Sequence, residues 1–181
     1  MPLWLYETAT QSLAEAHVLQ IVTDQQMTSI DQSWDAHNLV GFEHSHWDWK
    51  SKYRHRSPET LIFGLECKNE IQALMFLLFD KMSHEDNLPL VYVDYLATAP
   101  WNQGNDSRFK RSGTLLIYQA IQESLSRGWQ GRMGLHSLPQ ARGFYLKWGM
   151  IDLGEDPRYD DLDYFEMRAS QATHFLENFN E

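Results

Sequence analysis

Cysteine is nearly absent: Cys67 stands alone among 181 residues. No intramolecular disulfide can form, which fits a reducing compartment. Long apolar runs are missing as well. None approaches the ~20 residues that carry a helix across a bilayer, and no charged-then-apolar leader opens the chain. A cytoplasmic protein with no membrane association is therefore expected. Positive charge is scarce, with 15 Lys and Arg against 25 Asp and Glu and a formal net charge of -10. Nucleic-acid binding draws much of its free energy from Lys and Arg neutralising phosphates, so a nucleic-acid partner is disfavoured. An acidic surface instead favours encounter with cationic molecules. Repeats, linkers and low-complexity tracts are lacking too. At this length a single domain over 1–181, with room for a real core, is expected. The hydrophobic content of 43% and aromatic content of 13% are those of a globular chain.

What is present concentrates between Leu90 and Gly149. Leu90–Thr98 alternates, with Tyr92, Asp94, Leu96 and Thr98 on one side and Val91, Val93, Tyr95 and Ala97 on the other, as a strand does. Pro100, lacking a ladder donor, stops it. Further on, Ile117, Ala120, Ile121 and Leu125 share one helical face, and Gly128 suits its end. Between strand and helix lies Arg108–Gly113. Amides at a helix start are unpaired and sit at the positive end of the helix dipole, so they favour an anion. Gly113 allows close approach, and Arg108, Lys110 and Arg111 add positive charge. A phosphate or pyrophosphate fits there; so does a basic helix start with no ligand, and the stretch alone leaves both open.

Two motifs in this region resemble those of the GNAT (Gcn5-related N-acetyltransferase) superfamily. Its loop [Q/R]-x-x-G-x-[G/A] reads Arg108-Phe109-Lys110-Arg111-Ser112-Gly113 here, with Arg111 where glycine is usual. Its later segment A-x-x-x-Y-x-K-x-G-[F/M] is met by Ala141, Tyr145, Lys147, Gly149 and Met150, with Leu138 where an asparagine often stands before it. Relative to the shortest family loops, Trp101–Ser107 looks like an insertion. The resemblance implies an α/β (mixed α+β) chain of the acyl-CoA N-acyltransferase type: a central, mostly antiparallel sheet flanked by helices. It implies acetyl-CoA as co-substrate, held by Leu96, Ala97 and Thr98 on the strand and by Arg108, Lys110, Arg111, Ser112, Gly113 and Thr114 on the loop. It implies direct attack by a primary amine, small-molecule or peptidic, in a ternary complex. Tyr145 matches the tyrosine that protonates the departing thiolate; a core aromatic is its plainer role. For the base, Asp94 near the strand middle and His136 at the end of the next strand are candidates, and Asp94 equally suits a structural acceptor. A homodimer is compatible with this family. The departures at Arg111 and Leu138 keep an alternative open: a weak or inactive fold relative acting through protein contacts.

The rest of the chain gives coarser expectations. Leu3–Tyr6 reads as a short strand, and Gln11 to about Gln26 as a helix carrying Leu13, Ala16, Val18, Leu19 and Val22, capped by Thr10 or Ser12. Trp34–Arg56 holds His37, His44, His46 and His55 with Trp34, Trp47 and Trp49. No spacing there matches a zinc signature, so no metal is expected; an aromatic wall facing a cationic acceptor is one use of it, ordinary packing another. Leu61–Cys67 and Ile71–Phe79 read as a hairpin about Lys68-Asn69-Glu70, with Asp80–Pro89 a polar connection. Gly131–His136 is a strand, and a helix follows from Pro139 to about Trp148. Ile151–Leu153 and Tyr164–Arg168 form a strand pair, and Ser170–Phe179 a final helix. The turn EDPRYDDLD sets Glu155, Asp156, Asp160, Asp161 and Asp163 against Arg158 only, either as a lure for a cationic amine or as a solvated turn.

Overall fold

The computed structural model describes residues 2–37 and 47–179. Nine strands lie in the order β6-β1-β2-β3-β4-β5-β7-β9-β8. They are β1 (Leu3–Glu7), β2 (Ser12–Gln20), β3 (Leu61–Cys67), β4 (Glu70–Met82), β5 (Pro89–Thr98), β6 (Phe109–Lys110), β7 (Met133–Ser137), β8 (Ile151–Asp156) and β9 (Leu162–Met167). Pairing is mostly antiparallel; β5 and β7 run parallel, Tyr92 opposite Gly134. The helices are α1 (Asp24–Asp35), α2 (Trp49–His55), α3 (Ser112–Ser126), α4 (Arg142–Lys147) and α5 (Ala169–Asn178). The mixed α/β architecture, a mostly antiparallel sheet with helices, is the expected one. Among the described residues no helix is long and apolar enough to cross a membrane.

The chain gathers into two compact units, Met1–Phe76 with Tyr95–Leu116, and Leu77–Asp94 with Ile117–Glu181. In the first, β2 corrects the sequence-based expectation of a helix over 11–26. Ser12–Gln20 pairs with β1, Leu3 opposite Ala16 and Tyr6 opposite Leu13. Its inner face is Ala14, Ala16 and Val18, a period-two pattern masked by the outward Leu13 and Leu19. Helix propensity in this Ala- and Leu-bearing stretch yields to strand pairing, as a weak local preference does. The helix starts later, at a Thr23–Gln26 capping box: Thr23 Oγ1 accepts from the Gln26 amide at 3.1 Å, and Gln26 Oε1 accepts from the Thr23 amide at 3.0 Å. Asp31 on α1 then accepts from the amides of Trp49 (2.8 Å) and Lys50 (3.3 Å), fixing the entry to α2. The β3–β4 hairpin is as expected; Lys68 and Asn69 take left-handed φ of 54° and 63°, the geometry of a tight primed turn. β4 runs on to Met82, three residues into the expected connection.

The core of this unit is Ile21, Met27, Ile30, Trp34, Trp49, Tyr53, Ile62, Leu74, Phe76, Ala97 and Ala99. Within it lies one fully buried amide side chain, Gln72. Gln72 Oε1 accepts from Trp101 Nε1 (2.8 Å) and Asn102 Nδ2 (2.9 Å), and its Nε2 donates to the Cys67 carbonyl (3.1 Å). Asn102 Oδ1 in turn accepts from the Phe109 amide at 2.9 Å. The stretch 101–107, expected as an insertion, is thus anchored at its start: Pro100–Asn102 is a 3-10 turn whose Asn102 is buried.

In the second unit, Leu90, Tyr92 and Tyr164 are buried together, with Leu78 and Tyr159 against them. β7 needs glycine at 134, because a Cβ there would lie 2.6 Å from the Tyr164 hydroxyl. The expected helix from Pro139 is a 3-10 turn (Pro139–Ala141) followed by α4, and Gly149 closes it with φ 75°.

Asn102→Ala strands the Phe109 amide and removes a donor from Gln72. Loss of about 2–4 kcal/mol of unfolding free energy is expected, measured as a lower urea midpoint with an unchanged m-value.

Candidate active site

The first unit carries the loop and strand end that the sequence singled out. β6 pairs with β1, Glu7 opposite Phe109, and the Thr8 amide donates to the Arg108 carbonyl at 3.0 Å. Phe109 is buried and Lys110 exposed. The chain then turns sharply: Arg111 has φ 77°, in the left-handed region that glycine enters freely and a branched side chain enters at a cost. α3 begins at once. Its first backbone bond runs from the Leu115 amide to the Arg111 carbonyl (3.0 Å), so the amides of Ser112, Gly113 and Thr114 precede any helical acceptor. Ser112 and Thr114 are buried, and the Ser112 hydroxyl has no hydrogen-bond partner among the described residues. A buried, unpaired hydroxyl at a helix start fits an anion with several oxygens. The Arg108 guanidinium is paired with Glu70 at 2.6 Å, both side chains partly exposed. On β5, Ala97 is buried and Leu96 and Thr98 half-buried.

The second unit holds Asp94, His136 and Tyr145. Asp94 is half-buried on β5. His136 has a side chain only 6% exposed, with both ring nitrogens occupied. Its Nε2 lies 3.3 Å from Asp156 Oδ2, and its Nδ1 lies 2.7 Å from the Tyr92 hydroxyl. Tyr159 stacks on the ring at 3.9 Å. The Arg158 guanidinium, bonded to both Asp156 oxygens at 2.9 and 2.8 Å, chiefly holds that carboxyl well below the usual carboxylate range. Asp156 therefore only accepts, which puts the imidazole proton on Nε2 and leaves Nδ1 to accept from Tyr92. Burial lowers the His136 pKa, overriding the raising effect of Asp156. A neutral His136 can take a proton, but only through the Tyr92 hydroxyl. Tyr92 and Asp156 were not read from the sequence as parts of this arrangement; the period-two face of β5 shared by Tyr92 and Asp94 was the available signal.

Tyr145 on α4 is buried, its ring against Phe144 (5.2 Å) and Phe165 (5.9 Å). Burial pushes its phenol above the ordinary value, so it stays protonated through the physiological range. The acidic turn is better paired than its sequence suggests. Arg142 on α4 reaches both Asp152 and Asp163, and Asp156 is bound as above. Glu155, Asp160 and Asp161 remain exposed. Of the histidines in the Trp34–Arg56 stretch, His44 and His46 lie outside the described residues. The Nδ1 atoms of His37 and His55 lie 2.9 Å from the carbonyls of Ser33 and Ser51.

No family model matches this chain, and no curated protein does either. Solved structures do. AtaTR bound with AcCoA aligns with TM-score 0.57 and 16% identity, over 89% of this chain and 98% of the other. An acyl-CoA N-acyltransferase from Pseudomonas aeruginosa aligns with TM-score 0.56 and 15% identity, over 86% and 99%. The KacTA–DNA complex aligns with TM-score 0.58 and 17% identity, over 90% and 99%. The fold is that of the GNAT acyl-CoA N-acyltransferases.

The pKa depression of His136 has a direct consequence for stability. The unfolded chain protonates this histidine near its ordinary pKa of about 6.5 while the native protein does not, so stability rises with pH below neutrality, by at most about 1.4 kcal/mol per pH unit for one proton. His136→Gln should flatten the rise between about pH 5 and 7, read from urea midpoints of both proteins across that range; parallel curves would contradict it.

Proposed function

We propose that the protein transfers an acetyl group from acetyl-CoA to a primary amine that is cationic, by direct attack. The observation that carries this is the backbone at Arg111. Arg111 stands where the resembled family has glycine, yet it takes the left-handed turn that glycine would serve, directly before the first amides of α3. A left-handed turn leading into a helix start supports anion binding there although the usual residue is absent. The unpaired Ser112 hydroxyl at the same point supports a pyrophosphate there, with Gly113 and Thr114 beside it and Lys110 and Arg111 supplying charge. Leu96, Ala97 and Thr98 would present strand amides to the pantetheine and the acetyl carbonyl.

When bound, acetyl-CoA supplies the activated thioester. The residues of this chain do the rest. Tyr145 holds a phenolic proton in a buried site and would give it to the leaving sulfur. A phenol near pKa 10 is a weaker acid than a thiol near about 8.5 in water, an uphill transfer of roughly 2 kcal/mol; desolvation that raises both groups leaves this gap small beside the barrier. Asp94, or His136 through Tyr92, accepts the amine proton. The net charge of -10 draws cationic amines toward the surface.

A second reading is favoured by one observation. Arg108 spends its guanidinium on Glu70, which weakens the donor loop and suits a relative that acts through protein contacts.

Two measurements separate them. Acetyl-CoA at about 100 times Kd should raise Tm by roughly 5–10 °C, and Ser112→Ala should reduce that shift; no shift with acetyl-CoA or free CoA would sink the enzyme reading. Tyr145→Phe should keep the shift while lowering kcat about 100-fold or more, and an unchanged kcat would remove Tyr145 as the acid.

A further inference from the structure

A group of aromatic residues in the first unit is used by none of the chemistry above. Trp47 stands edge-to-face against Tyr95 (ring centroids 5.2 Å apart, planes at 77°) and against Trp49 (5.4 Å, 81°). Tyr95 is held in turn by Phe76, at 5.6 Å and 88°. Behind them Trp34 meets Trp49 at 5.6 Å and 89°, and its Nε1 donates to the Ile71 carbonyl at 3.2 Å. The Asp31 carboxylate fixes the Trp49 amide. Trp34, Trp49 and Phe76 are buried, so the outer rings of Trp47 and Tyr95 rest on a rigid base.

Into the angle between those two rings reaches one ammonium. Lys52 Nζ, from α2, lies 3.6 Å from the Tyr95 ring centroid and 4.8 Å from that of Trp47. Two ring faces turned on a single charge make a cation site, because each face is the negative pole of its quadrupole. The occupant sits on a flexible four-carbon stem, whereas the rings pack edge-to-face on Trp49 and Phe76. Tyr95 immediately precedes Leu96, where the donor strand begins, and both belong to the same unit as the Arg108–Thr114 loop.

We propose that the Trp47–Tyr95 corner is a recognition site for a cationic group, filled by Lys52 in the free protein and by the acceptor when substrate binds. The identity of that occupant as the acceptor rests on the acyl-transfer reading above. The chemistry narrows the acceptor further. An amine must be neutral to attack a thioester, whereas ring faces hold only the charged form. The corner therefore takes a second group that stays protonated at neutral pH, and the substrate class is an amine that carries another cation: a diamine, a polyamine, or a basic amino acid or peptide. Lys52 is an internal competitor that a singly charged or neutral amine displaces poorly.

The test uses choline as the cation probe and its neutral carbon isostere as control, with affinities from NMR line broadening. Removing the competitor with Lys52→Met should tighten choline binding roughly five- to thirty-fold over the native protein, the range of a desolvated cation–aromatic contact, and the neutral isostere should not bind. Adding Trp47→Leu or Tyr95→Leu to Lys52→Met, each checked for native circular dichroism, should abolish the gain. Equal choline affinity in the native protein and Lys52→Met, or a gain that survives loss of both rings, overturns the proposal. The acetyl-CoA thermal shift is measured on the same samples without choline. A normal shift with no choline site rejects the cation corner and leaves acyl transfer standing; a choline site with no shift keeps the corner and removes the acyl-transfer role assigned to its occupant.

Discussion

Gln72 is the polar centre of the first unit, and the Arg108–Gly113 loop depends on it. A carboxamide with no solvent exposure must have its hydrogen bonds made inside the protein, because each unmade one costs about 1–3 kcal/mol. Gln72 meets this by gripping Cys67 behind it and Trp101 and Asn102 ahead of it. Its backbone carbonyl also takes the Ala99 amide at 2.9 Å. Through Gln72 the segment leaving β5 is therefore bound to β4. Asn102 passes the constraint on to Phe109, whose strand pairing with β1 delivers the chain to the start of α3.

From there the geometry is backbone geometry. A left-handed residue, followed directly by a helix, aims successive amides at one point, and side-chain identity matters less than that turn. Arg111 holds the turn at some conformational cost. Such strain persists only where neighbours over-determine it, and β6 with the Phe109–Asn102 bond does so here. An arginine at position 111 is thus compatible with the loop's shape.

The second unit shows the opposite economy, in which charge rather than backbone is fixed. Asp156, close to other acids in sequence, is buried, ion-paired with Arg158 and hydrogen-bonded by His136, while Arg142 collects Asp152 and Asp163. An acidic run on paper becomes a set of ion pairs with three exposed acids left over. His136, with its ordinary pKa close to neutrality, has that pKa lowered by burial and is aligned by Asp156 and Tyr92.

What the sequence determined by itself was local and periodic. The alternation of β5, the α3 face ending at Gly128, the β3–β4 hairpin about Lys68-Asn69-Glu70, and the two motifs about Arg108 and Tyr145 were legible because each is written within a few neighbouring residues. The Thr23–Gln26 cap was equally local and was overlooked in favour of a helical pattern in Leu13, Ala16 and Val18. That segment is a strand because β1 pairs with it, a fact no window of β2 alone contains. The same holds for the bond of Arg108 to Glu70, 38 positions away, of Tyr92 to His136, 44 away, and for Lys52 on Tyr95. Local propensities differ by less than about 1 kcal/mol per residue, whereas pairing and burial sum over whole elements, so long-range partners were left for the tertiary structure to decide.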